Sequence, residues 1–348
     1  MLMMTTARLE TAGTINDTVE YVYRKVSEHD PRNRWFGTGR TVLALAQLSI
    51  LLFTTPAALM VPVIGQNDAP HCAGVQSASL YCLGHDAIPL EWRHWGMAAI
   101  LLLVATGWRP RVTALPHAWV AYSIAGSIAL PDGGESVVRI VCILIVPLAL
   151  LDDRGWHWQH PTTEPNRWIQ PLSYACLLAL RLQLAFIYFD SAISKFGVSD
   201  WVNGTAEYYF LRDNAFGASY PLEPMLIWTS NIPALVISMT WGALVIELLI
   251  GILFLGTRRW RKVGLTLDIV LHVGIIATMG LWSFSTIMIG SAIIAAMPTR
   301  RRTTFSTDGT RSTLDVSELD RDRSRRPDVT DPITATAGPP EAIGSDER

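Results

Sequence analysis

Lysine is nearly missing from this chain: Lys25, Lys195 and Lys262 stand against 25 arginines in 348 residues. Charge of any kind is scarce, at 17% Asp, Glu, Lys and Arg, against roughly 25% in an ordinary soluble domain, while 50% of the residues are hydrophobic. That balance excludes an ordinary soluble domain and points to a membrane protein. No basic stripe interleaved with aromatics is present, which sets nucleic acid aside, and a formal net charge of -2 selects no other partner. A di-metal site would want more intramembrane carboxylates and a Glu-x-x-His motif; neither is found, so no metal is expected there. No convincing internal repeat supports a transporter built from related halves.

What is present is a series of apolar runs approaching the roughly 20 residues that a spanning helix needs. Eight are counted, near 38–62, 92–108, 112–130, 135–151, 171–196, 231–256, 263–281 and 283–298. The third, with Pro116 and His117, and the short eighth are the weakest, and seven spans is the alternative. Basic residues stay with cytoplasmic loops. Arg24, Lys25, Arg32, Arg34, Arg40, Arg109, Arg111, Arg154, Arg167, Arg258, Arg259, Arg261, Lys262 and Arg300 to Arg302 all fall on one side if eight spans alternate. Both termini are then cytoplasmic. The opposite loops are poor in basic residues: 63–90 has none, and the turn "PDGGE" at Pro131 carries only acids. The expected architecture is an all-α integral membrane protein, a bundle of about eight transmembrane helices. It divides into a cytoplasmic segment 1–36, a helical domain 37–298 and a tail 299–348. The tail holds 9 Arg and 10 Asp or Glu with few large apolar residues; such a composition cannot bury a core, and disorder is expected. The first apolar run exceeds the core of a signal peptide and reads as a retained span.

Two of the four cysteines, Cys72 and Cys82, fall in the first outside loop, where a disulfide suits an oxidising compartment. The alternative is a metal site with His71 and His85, although the spacing fits no recurrent zinc pattern. Cys142 and Cys176 lie in expected spans as apolar packers.

The stretch "IYFDSAISKFGVSDW", Ile187 to Trp201, puts ionisable groups at the end of a span, where they are expensive and usually functional. Arg181, Tyr188 and Lys195 are seven apart in series, and Ser191 shares their stripe. Lys195 either reaches the headgroups or serves as a base, since desolvation can neutralise a lysine but not an arginine. Arg181 has a structural or snorkelling alternative. Asp190 lies off the stripe, towards a neighbouring helix. Glu247, in "WGALVIELLIGILFL", and the pair Asp268 and His272 should face the interior and pair with one another or with Arg181. Their pairing is either a structural network or part of a catalytic site. The segment "WVNGTAEYYFLRDNAFGASYPLEP" reads as an interfacial helix or lid over the outer end of the Lys195 helix, with Trp201 and Tyr208 lining the site.

Those residues carry a resemblance. "YFDSAISKFGVSDWVNG" is similar to a segment of vitamin K-dependent gamma-carboxylase, with Lys195 on the lysine that acts as base in that family. Asp200, Trp201 and Gly204 come into step after one extra residue. "IELLIGILFLGTRRWRK", "LH" and "MGLWSFSTIMI" resemble the end of the horizontally transferred transmembrane domain shared by those carboxylases and many bacterial proteins. Over about 30–300, "NRWFGTGRTVLAL", the paired-cysteine loop and "GWRPRVTALPHAWVAYSIAGSIALPDGGESVVRIVCILIVPLALLDDRGWHW" look like the sporulation-delaying protein B family of bacterial multi-pass membrane proteins.

That second resemblance implies a protein of the bacterial cell membrane needed to mature or export a small antimicrobial or toxin peptide. Its partners would be membrane lipids, the secreted peptide precursor and companion maturation proteins. The carboxylase likeness implies an enzyme with Lys195 as base, Glu247 or His272 as relay, and a quinone or vitamin K-like lipid as cofactor. The large substrate-binding domain of animal carboxylases has no counterpart here, so carboxylation of a propeptide-bearing protein does not carry over. A transporter or immunity protein is the third reading.

Overall fold

The computed structural model describes residues 17, 19–65, 69–84, 87–214, 217–218 and 220–298. The chain divides into two units, Met1–Arg301 and Arg302–Arg348; the second lies outside the described residues, as do the expected disordered tail and His85. Among the described residues there is no strand, and eight long helices account for most of the first unit. They are α1 (Arg34–Phe53), α2 (Leu90–Thr106), α3 (Pro110–Ala125), α4 (Gly134–Leu150), α5 (Gln170–Lys195), α6 (Pro233–Leu255), α7 (Arg258–Met279) and α8 (Trp282–Ala296). Four of them, α1, α5, α6 and α7, are long and apolar enough to cross a membrane. Their outward faces suit lipid: Leu178, Leu182 and Phe186 on α5, and Val245, Leu249 and Ile252 on α6, are exposed.

Local chemistry sets the boundaries. Asn33 caps α1 by accepting a hydrogen bond from the Phe36 amide, and Pro110 and Pro233 occupy first-turn positions where the missing N–H is harmless. The first apolar run was expected to continue to residue 62, but α1 stops at Phe53. Pro56 cannot continue the ladder of α1, and Thr55 before it is extended, at φ -67° and ψ 154°. A separate turn, Pro56–Leu59, follows. Pro116 lies inside α3 without breaking it.

The short eighth run forms the centre of the bundle. Helix α8 packs against α1, α4, α5 and α7, and Ile287, Ala292, Ile294 and Ala295 are fully buried. Its seam with α1 depends on missing side chains: a Cβ on Gly39 would stand 2.4 Å from Ile294 Cγ1 and 2.8 Å from the Gly290 carbonyl oxygen. Small residues bring membrane helices close because packing, rather than a hydrophobic driving force, holds them together.

Polar contacts sort the helix ends into two groups. At one end Arg32 pairs with Asp30 at 2.9 Å and Asp153 at 3.0 Å, and also donates to the Thr163 carbonyl. Gln170 donates to the His29 carbonyl at 2.7 Å, and His29 Nε2 lies 2.9 Å from Ser173 Oγ. Trp108 and Trp156 form an isolated antiparallel bridge, and the His157 ring lies over Gly107, which a Cβ would strike at 2.4 Å. This clasp joins the starts of α1, α3 and α5 to the ends of α2 and α4. At the other end Cys72 and Cys82 form a disulfide, Trp119 donates to the Ala78 carbonyl at 2.7 Å, and Ala129 N donates to the Leu59 carbonyl at 3.0 Å.

The clasp contains two buried imidazoles. Burial brings His29 from 6.5 down to about 4, with Arg181 adding to the effect and Asp30 opposing it. Burial likewise brings His157 down to about 3, with Arg40 and Arg154 adding to it. Both are neutral in the folded chain, so below 6.5 the unfolded chain takes up protons first and the folded state loses ground. The thermal midpoint in detergent should therefore fall between near pH 7 and about pH 5, and His29→Asn with His157→Asn should flatten that slope. Gly39→Leu should lower the yield of folded protein through overpacking of about 1–3 kcal/mol or more, read by size-exclusion recovery.

Candidate functional site

The last two turns of α5 present Tyr188, Ser191 and Lys195 on one face, at helical spacings of three and four. Helix α6 packs alongside and brings in Glu247. Lys195 Nζ forms a close ion pair with Glu247 Oε1 and donates to Ser191 Oγ at 3.1 Å. Ser191 Oγ in turn donates to Glu247 Oε2 at 3.3 Å. The Trp201 ring faces the same ammonium at 4.9 Å, within cation–π range. The side chains are 20% exposed at Lys195 and 10% at Glu247. These contacts are those of an ammonium: a carboxylate, a hydroxyl and a π face leave no lone pair presented.

The segment after α5 folds back over this pair through two short helices, Ser199–Val202 and Ala206–Phe210. Gly204, at φ 75°, allows the turn between them, and a Cβ there would meet Trp241 at 3.1 Å. Trp201 is buried against Phe210 at 5.8 Å between ring centroids. Glu207 is also buried, and its backbone amide donates to Thr240 Oγ1 on α6 at 3.3 Å. Burial raises the Glu207 carboxyl above its ordinary range, while the charge of Lys195 pulls it back down. Sequence reading missed this acid; its only signal is one carboxylate in an otherwise aromatic "AEYYF".

A second group lies on the same face of α5. Tyr188 donates a close hydrogen bond to Asp268 Oδ1 on α7. His272 Nδ1 is 3.7 Å from that carboxylate oxygen but 3.0 Å from the Asp268 carbonyl. The shorter contact decides the bond, so Nδ1 carries the proton and donates to the backbone. Tyr188 and Phe284 pack against the imidazole at 6.2 and 5.6 Å. Asp268 is fully buried, and its Oδ2 has no hydrogen-bond partner among the described residues.

Three residues expected at the site lie elsewhere. Arg181 donates from Nε to the Ala295 carbonyl at 2.9 Å and from Nη2 to the Met297 carbonyl at 3.1 Å. It satisfies the orphan carbonyls at the end of α8 and pairs with none of the buried acids. Asp190 is exposed, because two residues beyond Tyr188 a helix has turned by some 200°. Tyr208 is 37% exposed and stacks under the Arg212 guanidinium at 3.7 Å. Lys195, Glu247, Ser191 and Trp201 are brought together, and Tyr188, Asp268 and His272 form the second group.

The chain is similar to the uncharacterized protein YitO of Bacillus subtilis (strain 168). The two are 33% identical over 286 residues, which cover 80% of this chain and 91% of the relative. It is also similar to sporulation-delaying protein SdpB of the same organism, 30% identical over 285 residues, covering 81% of this chain and 86% of the relative. No family model matches the chain, and no solved structure matches it.

The ion pair sets a test of its own structural weight. Lys195→Met strands a largely buried carboxylate, and removing one partner of such a pair costs up to about 3–5 kcal/mol. Removing both partners is far milder. Lys195→Met should therefore lower the thermal midpoint clearly, and adding Glu247→Leu should recover most of the loss.

Proposed function

The chain belongs to the family of sporulation-delaying protein SdpB, and from that premise we propose that it is a multi-pass membrane protein needed to mature or export a secreted peptide. The observation that carries the proposal is the likeness to SdpB over most of both chains. Companion maturation proteins and the precursor are the partners this reading implies. The eight long helices cross the membrane in alternation, with the clasp at Arg32, Arg109 and Arg154 on the cytoplasmic side. Both termini then lie in the cytoplasm, and the basic residues near the helix ends support that orientation. The segment 199–214 lies at the outer end of α5, as a lid over Lys195. Reporter fusions at position 75 should be active outside the cell and fusions at position 160 inactive.

A second reading, in which the protein is an enzyme, is favoured by the pairing of Lys195 with Glu247. The proton passes from Nζ to the carboxylate, and the freed amine then accepts one from the substrate. Arginine keeps the charge but does not give up its proton. The test compares mature peptide, identified by mass spectrometry, in wild type, a deletion strain, Lys195→Ala and Lys195→Arg at matched membrane levels. Deletion should abolish mature product, and both substitutions should lose it. Normal peptide activity in the deletion strain sinks the maturation role. Wild-type behaviour of both substitutions makes Lys195 a boundary anchor and removes the enzyme reading alone.

A further inference from the structure

A cleft of about 820 Å³ opens at the end of the bundle opposite the Arg32 clasp. The end of α1 contributes Ile50 and Phe53, the turn after it Leu59, the start of α4 Glu135, and the α7–α8 turn Leu281 and Trp282. It is separate from the cluster at Lys195, and no Lys, Arg or His lines it.

Its ionisable groups are two carboxylates, beside the hydroxyls of Ser49, Thr54, Ser283 and Thr286. Asp132 is held in place: one oxygen accepts from the Gly134 amide at 2.8 Å, the other from Ser283 Oγ at 2.8 Å, and its side chain lies within hydrogen-bond reach of Glu135. That arrangement pins the "PDGGE" turn to the start of α8. Glu135 sits against Asp132, side chain to side chain. It is 2% exposed, lines the cleft, and its Oε2 is buried with no hydrogen-bond partner among the described residues. A desolvated carboxylate oxygen with an empty acceptor position is costly to leave unmatched. The basic residue one helical turn on, Arg139, is not part of the lining.

Two neighbouring acids in a lining without a base are complemented by a cation, and the walls select which kind. A divalent metal ion wants several oxygen ligands, and among the described residues no group of three or more His, Cys, Asp or Glu stands ready to hold one. The walls are predominantly aliphatic and aromatic, and the volume is that of a site for an organic ligand. We propose that this cleft binds an amphipathic, cationic peptide segment, with a lysine ammonium or arginine guanidinium on Glu135 and the flanking apolar residues against Phe53, Leu59 and Leu281. Naming a peptide as the occupant, rather than an amine-bearing lipid, rests on the maturation reading above. The binding chemistry itself does not.

The experiment uses the purified full chain in phosphatidylcholine nanodiscs and a short fluorescent peptide of leucine and lysine, read by anisotropy. Three variants accompany wild type. Glu135→Gln removes the charge, Ser49→Trp fills the cleft from α1 with the charge kept, and Asp190→Asn removes a surface charge elsewhere. Wild type and Asp190→Asn should bind alike. Glu135→Gln and Ser49→Trp should weaken binding by at least about tenfold, and a leucine–glutamine peptide should lose as much on wild type. Thermal midpoints report whether each variant is folded. The proposal is overturned if wild type does not bind the lysine peptide, if a folded Glu135→Gln or Ser49→Trp binds as wild type does, or if the glutamine peptide binds equally well. It is also overturned if phosphatidylethanolamine in the nanodisc displaces the peptide, since a lipid then owns the cleft. None of these outcomes depends on secretion of mature peptide, so the maturation reading stands or falls separately.

Discussion

A polar group carried into an apolar bundle has no water to fall back on, and its partner has to come from the chain itself. That constraint decides where nearly every buried ionisable residue of this protein sits. Arg181 spends its guanidinium on the last carbonyls of α8. Arg40, fully buried, donates to Thr113 on α3. Lys195 and Glu247 neutralise each other between α5 and α6, and Tyr188 reaches across to Asp268 on α7. Each bond ties together helices that lipid-facing packing alone would leave free to slide. The helix pairing and the polar network are therefore the same fact seen from two sides.

The two ends of the bundle use this constraint differently. The Arg32 end is densely cross-linked by ion pairs, backbone bonds and rings, and its imidazoles are held neutral by burial. The opposite end has its ordered disulfide loop, but it also holds an open cleft with the neighbouring acids Asp132 and Glu135, and the largely buried pair at Lys195. Cross-links are concentrated at one end and the open cleft lies at the other. A membrane protein that handles something on one side only would be arranged in this way.

Much of this was legible in the sequence, because apolar runs and breaker residues are local signals. The positions of eight long helices follow the eight runs, and the one serious boundary error came from reading through Pro56. The stripe through Tyr188, Ser191 and Lys195 was visible from helical periodicity alone. What was hidden was partnership over distance. Glu247 and Lys195 are 52 residues apart, and no local pattern says that α6 places its acid against Lys195 rather than against Arg181. Glu207 was hidden for the same reason, since its burial depends on how the segment after α5 folds back. The length of "WSFSTIMIGSAIIAA" made α8 look marginal as a span, whereas its place in the middle depends on the absence of side chains at Gly39 and Gly290.

That last feature bears on the order in which the protein is made. The tightest helix seam joins the first long helix to the last, more than 200 residues apart in the chain. Ridges on α1 that are shaped for α8 have nothing to pack against while the intervening helices emerge from the ribosome. Arg181 likewise waits for carbonyls not yet synthesised. The bundle can close only after residue 297 has been added, so a nascent chain stalled before α8 leaves the central slot still empty.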